Sequence, residues 1–205
     1  MSTDDPISDE LPEEEQGFES DSRKIGPWTQ LSVATPYANR WIQVEHHEVL
    51  DPAGQPGIYG VVRFRHRALG CVPLHADGTV TLVGQFRYPL AQWSWEIPEG
   101  GGQLNVDPLQ EMKRELAEET GLAASEWIPV GILHTSNSVC DETAHLWIAR
   151  GLSEGKPALE STEEGMRSTR IPFAEALSMA LDGRITDAIT VAGLTRAWWW
   201  LEKSK

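Results

Sequence analysis

Cysteine is scarce. Cys71 and Cys140 are the only two in 205 residues, too few and too far apart for a disulfide framework or a thiolate metal cluster. No run of eighteen apolar residues occurs, and a basic start followed by an apolar stretch is missing, so neither a membrane span nor a secretory leader is expected. The 17 Lys and Arg are outnumbered by 31 Asp and Glu and gather into no stripe that could follow a nucleic-acid backbone. The six histidines show no ligand spacing, and none is given a role. These absences leave a cytoplasmic protein with neither a membrane nor a nucleic-acid polymer as partner.

The charge that is present is unevenly placed. Of the net −14, nine acids against Arg23 and Lys24 place −7 within the first two dozen residues. Residues 1–26, with Ile7, Leu11 and Phe18 too scattered to bury, read as a disordered acidic tail. Residues 27–205 suffice for one folded domain. Strands are expected over 41–50 and 58–65, split by a Pro- and Gly-rich turn, and over 69–74 and 79–88, which flank the hairpin signal Asp77-Gly78. Shorter strands follow at 93–97, 127–134 and 143–149, then a polar loop over 151–166. Pro172 opens a helix that stops near Gly183, and Asp187 starts a last helix to about Lys203. Strands, helix, strands, helices make an α/β or α+β layered domain.

Residues 96–122 organise the rest. A glycine-rich loop, Gly100-Gly101-Gly102, leads into a helix with Asp107 as N-cap, Pro108 at its first position, Gln110 placed as in a capping box, and Gly121 where a left-handed residue would stop it. Leu109, Met112, Leu116 and Thr120 fall on one stripe. Glu111, Glu115, Glu118 and Glu119 share an arc of about 100° on the other side. The pairs Glu111/Glu115 and Glu115/Glu119 are like charges four apart, which repel by a few tenths of a kcal/mol each. One resolution is a solvated acidic surface. The other is a hard divalent cation, which takes oxygen ligands from a rigid element.

The run Arg114-Glu115-Leu116-Ala117-Glu118-Glu119-Thr120-Gly121-Leu122, with Gly100 at the matching distance before it, resembles the Nudix box of the Nudix hydrolases. The family pattern has a glutamate where this chain has Val106. The resemblance implies Mg²⁺ or Mn²⁺ as cofactor, with Glu115, Glu118, Glu119 and the backbone carbonyl of Glu99 as ligands. It also implies support from Arg114, Gly100 and Glu96, although Glu96 could equally pair with an arginine. Outside the box, Gln85-Phe86-Arg87-Tyr88, Trp95 to Gly100 and Gly183 to Ala188 are similar to stretches of the ADP-ribose and nucleoside-diphosphate-sugar pyrophosphatase branch.

That branch implies an α/β/α sandwich around a mixed sheet, with an extra N-terminal β region, here 28–66, that builds a homodimer. Its reaction would be metal-dependent cleavage of a small nucleoside diphosphate sugar, ADP-ribose first. Asn137 stands where the ADP-ribose enzymes usually carry a proline. GDP-mannose, another housecleaning nucleotide, or a non-catalytic binding module are therefore the alternatives. Arg87 suits a phosphate contact, Trp41 a base-stacking role, Glu142 a substrate contact. Glu164, with Glu163 next, is the candidate general base alongside Glu119 in the catalytic set.

Overall fold

The computed structural model describes residues 22–159 and 164–204, so the expectation for residues 1–21 lies outside the described residues. The chain divides between Arg65 and His66 into two compact units. The first is a four-stranded antiparallel sheet of β1 (Arg23–Ile25), β2 (Trp28–Ala38), β3 (Ile42–Leu50) and β4 (Pro56–Phe64), in that order. Strand β1 takes up residues assigned to the tail. Strand β2 is hard to see in sequence because Pro36 interrupts it, and its register with β3 shifts between Ala34 and Tyr37, as at a bulge. The expected β3–β4 turn forms, with Asp51 Oδ1 accepting from the Ala53 and Gln55 N–H groups at 2.8 Å each. Ile25, Leu31, Tyr37, Trp41 and Ile58 remain exposed on this unit.

The second unit contains β5 (His66–Pro73), β6 (Thr79–Arg87), a 3₁₀ turn (Tyr88–Leu90), β7 (Gln92–Glu96), β8 (Glu99–Gln103), α1 (Pro108–Thr120), β9 (Leu122–His134), β10 (Thr143–Glu154), β11 (Arg167–Pro172), α2 (Phe173–Leu181) and α3 (Ala188–Lys203). One sheet runs β8-β5-β10-β9, mixed because β5 and β10 are parallel; the other runs β11-β6-β7. The sequence pattern along β5 and β10 explains the layering. Leu69, Cys71, Trp147 and Ala149 face α1 with Met112 and Leu116, whereas Val72, Leu146 and Ile148 face α3 with Leu194 and Ala197. Strands buried on both faces between helices give the expected α/β/α sandwich.

Further expectations are corrected. Asp77-Gly78 does make a tight turn, with Gly78 at φ +81° and the His75 N–H bonded to the Thr79 carbonyl at 2.9 Å. No hairpin follows, because β5 and β6 separate after one bridge, Leu74 with Val80, into different sheets. Both strands are buried along most of their length, so each finds partners on both edges elsewhere. The glycine-rich loop, in turn, begins as strand β8, paired antiparallel to β5. Strands β9 and β10 also run longer than expected, so the polar loop begins only after Glu154. Of the three consecutive tryptophans, Trp200 packs on the core under the Arg150 guanidinium, while Trp198 and Trp199 stay largely exposed.

One long-range bond fixes β7 and β8 against α3. The fully buried Thr190 hydroxyl accepts from the Ile97 N–H at 2.9 Å. Thr190→Val keeps the shape and orphans that donor, which costs about 1–3 kcal/mol. Calorimetry should show a melting temperature lower by about 2–10 °C. An unchanged value would mean that the bond contributes nothing.

Candidate active site

Helix α1 forms where its caps predict. Asp107 accepts from the Leu109 N–H at 3.1 Å, and Gly121 closes the helix at φ +72° with its N–H on the Ala117 carbonyl. Its acidic face is not a solvated surface: Glu115 is 7% and Glu119 4% exposed. Arg114 makes this tolerable. Its fork reaches Glu118 and Glu115 at 2.5 Å each and Glu111 at 3.4 Å. Burial alone would lower the guanidinium pKa, but the charges of Glu115 and Glu118 outweigh it and leave the group raised.

Strand β8 lies against this face. The Glu99 N–H donates to Glu119 Oε2 at 3.2 Å, and Gly100 sits where any Cβ would fall on the Glu115 carboxylate. Glycine is required here for close approach, since Gly100 does not have a positive φ. The Glu99 side chain, 8% exposed, points to a second acidic group. Arg87 holds Glu96 by two bonds, at 2.8 and 2.5 Å, and Glu99 Oε1 at 2.8 Å. The arginine pair, one of the two sequence readings of Glu96, is formed. Asp187, the N-cap of α3, accepts from the Thr190 N–H on Oδ2 at 2.6 Å and stands beside Glu96 and Glu99.

The electrostatics follow from that crowding. Burial, then Asp187, then Glu96 push the Glu99 carboxyl well above the usual range, against the opposing pull of Arg87. Arg87 is raised: desolvation opposes its charge, and the Glu96 bond and the Glu99 charge overcome it. Burial, then Glu119, push up the Cys71 thiol. Glu99 Oε2 is buried with no hydrogen-bond partner among the described residues. These donors fit a hard divalent cation, being oxygen-only, mostly buried and held on a helix and a paired strand.

The expected residues divide into groups. Glu96, Glu99, Gly100, Arg87, Arg114, Glu115, Glu118 and Glu119 come together on β6, β7, β8 and α1. Glu142 lies between β9 and β10 and accepts from the Thr135 hydroxyl at 2.7 Å. Glu164 is exposed in a turn, and Glu163 lies outside the described residues. The chain leading towards them is tied to the end of α1, where the Ala158 N–H donates to the Glu118 carbonyl at 2.9 Å. Trp41, 54% exposed with the Arg40 guanidinium over its ring, belongs to the other unit. Asp187 was legible only as a helix cap; its place beside Glu99 depends on contacts across some ninety residues, which no local pattern carries.

Comparison with known proteins is consistent with this geometry. Residues 64–192 match the model of the NUDIX domain, and residues 28–62 that of the nucleoside diphosphate sugar hydrolase N-terminal domain. The chain is 33% identical over 129 residues to an ADP-ribose pyrophosphatase of Mycobacterium tuberculosis, a match covering 62% of each protein and so less than two thirds of that relative. It is 30% identical over 156 residues to a methanol dehydrogenase activator of Bacillus methanolicus, covering 76% of this chain and 84% of that one. The crystal structure of an ADP compounds hydrolase shares the fold, with a TM-score of 0.78 at 20% identity over 89% of this chain and 98% of the other.

Gly100→Ala tests the contact between β8 and α1. The added methyl must push the Glu115 carboxylate away from Arg114, an overpacking cost of about 1–3 kcal/mol. A melting temperature lower by about 2–10 °C, with circular dichroism retained, is expected. Unaltered melting would show that the carboxylate moves aside freely.

Proposed function

Because this chain belongs to the Nudix family, we propose that it hydrolyses the pyrophosphate linkage of a nucleoside diphosphate sugar, giving a nucleoside monophosphate and a sugar phosphate. The observation that carries the reading is the burial of Glu115 and Glu119 against the Glu99 N–H and the missing Cβ of Gly100. The match of residues 28–62 supports a sugar nucleotide, and the name of the mycobacterial relative makes ADP-ribose the first substrate to try. Asn137 in the β9–β10 loop keeps GDP-mannose and other nucleotides as a second reading. A non-catalytic binding module is disfavoured because Glu115, Glu118 and Glu119 are all present.

Glu115, Glu118, Glu119 and the Glu99 carbonyl would hold Mg²⁺ or Mn²⁺. When bound, the ion supplies Lewis-acid neutralisation of the charge that builds on phosphate oxygens. Arg114 orients Glu115 and Glu118. Arg87 offers a planar fork to a phosphate, and must give up part of its hold on Glu96 and Glu99 to do so. Trp41 would stack on the base and Glu142 contact the substrate. Glu164, with Glu163 as the next choice, would take the proton from the attacking water; an exposed turn suits a carboxylate that closes over substrate. The absence of the box glutamate at Val106 bears on metal number or affinity more than on the reaction class.

Turnover measured as phosphatase-sensitive product with Mg²⁺, over a panel of sugar nucleotides, tests the substrate class. Glu119→Gln should retain the fold and lose nearly all turnover, whereas Glu111→Gln should matter far less. Near-wild-type rates for Glu119→Gln with unchanged circular dichroism would remove the metal assignment. Glu164→Gln should lower kcat by about 10²-fold or more with little change in KM, and Glu142→Gln should mainly raise KM. The reverse pattern would move the base to Glu142.

A homodimer built through residues 28–66 completes the reading. The apolar side chains left exposed on that sheet support it. Light scattering at micromolar concentration should give twice the mass of the chain; a monomer would remove the dimer and any site shared between subunits.

A further inference from the structure

We propose that Glu96, Glu99 and Asp187 form a cation site of their own, distinct in its side chains from Glu115, Glu118 and Glu119, that takes a hard divalent ion. One carboxylate oxygen from each lies within 4.8 Å of the other two. Bonds of about 2.1 Å to Mg²⁺ would place opposite oxygens about 4.2 Å apart, and bonds of about 2.4 Å to Ca²⁺ about 4.8 Å apart. Only one pair of the three can stand opposite across an ion, so at the outer limit of that separation the three oxygens each close by about 0.4–0.7 Å to share one.

An acidic cluster alone is weak ground, since many are only surface. Here the second observation is Glu99 Oε2. Its side chain is 92% buried, and the atom meets no hydrogen-bond donor among the described residues. Arg87 is the cation in contact with this group, and it is already used: Nε and Nη2 hold both oxygens of Glu96, and Nη2 also holds Glu99 Oε1. Asp187 commits Oδ2 to the Thr190 N–H, which leaves Oδ1 to a ligand. Glu119 approaches Glu99 from α1 and adds negative charge. With all three carboxylates ionised, Arg87 leaves the cluster two charges negative. A buried carboxylate oxygen among like charges is costly unless a cation meets it.

The site is also coupled to Arg87. If Arg87 turns its fork to a substrate phosphate, the cluster loses its counter-charge and its demand for an ion rises. A cation there would let Arg87 leave Glu96 and Glu99 without stranding two largely buried carboxylates beside Asp187.

The inference rests on the proposed hydrolase function only in assigning Glu115 and Glu119 to a different ion, so the test removes that ion first. Mn²⁺ is titrated into the full chain carrying Glu115→Gln and Glu119→Gln, with free Mn²⁺ followed by electron paramagnetic resonance and the fold by circular dichroism. This background should still bind one Mn²⁺. Adding Glu99→Gln or Asp187→Asn should weaken that binding at least tenfold; asparagine keeps the α3 cap, so the second variant holds its fold if the first does not. Arg87→Gln should instead tighten it. No Mn²⁺ in the background, or binding indifferent to both Glu99→Gln and Asp187→Asn, overturns the site. Turnover by the background variant reports separately on the proposed hydrolase function.

Discussion

Repulsion among buried carboxylates is the constraint on which this structure turns. Glu96, Glu99, Glu115 and Glu119 are all largely removed from water within a few residues of one another in space. In an interior of low dielectric, such charges would separate or take up protons unless cations and N–H groups face them. Two arginine forks divide that role. Arg114 works along one helix, and Arg87 works between two strands. Neither could be replaced by lysine without loss, because each guanidinium spans more than one carboxylate at once.

The scaffold keeps those forks and carboxylates in register by means that have little to do with charge. Helix α1 is pinned by its caps and by Met112 and Leu116 on the opposite side, so the acidic face cannot rotate into solvent without exposing core. Strand β8 approaches it because Gly100 has no side chain, and β5 holds β8 along five residue pairs. The apolar stripe and the acidic stripe of one helix thus support each other. Hydrophobic burial on one side holds in place a group of charges that would not assemble alone.

Much of this was legible in the chain. The ends of α1 followed from Asp107, Pro108 and Gly121, because caps are local chemistry, and the two faces followed from helical periodicity. A layered domain was expected from element order, and the mixed sheet between helices from the resemblance. What failed was non-local. Asp77-Gly78 reads as a hairpin because turn chemistry fixes the reversal but not whether the flanking strands then pair, and here each strand is claimed by other neighbours. The glycine run reads as a loop because glycine carries no strand signal of its own; its pairing partner in β5 decides. Asp187 reads as a cap, and only the meeting of α3 with β7 and β8 shows what else stands beside it.

The bond from the Ile97 N–H to the Thr190 hydroxyl joins residues 93 positions apart, and it fastens α3 to the strand pair that carries Glu96 and Glu99. Closing so long a segment is entropically slow, and the contacts that reward it come only after the intervening strands have formed. During synthesis, α1 and its carboxylates therefore leave the ribosome well before the element that completes their surroundings. The acidic centre is complete only once α3 docks, so that until then the protein has its carboxylates but not yet the enclosure that perturbs them.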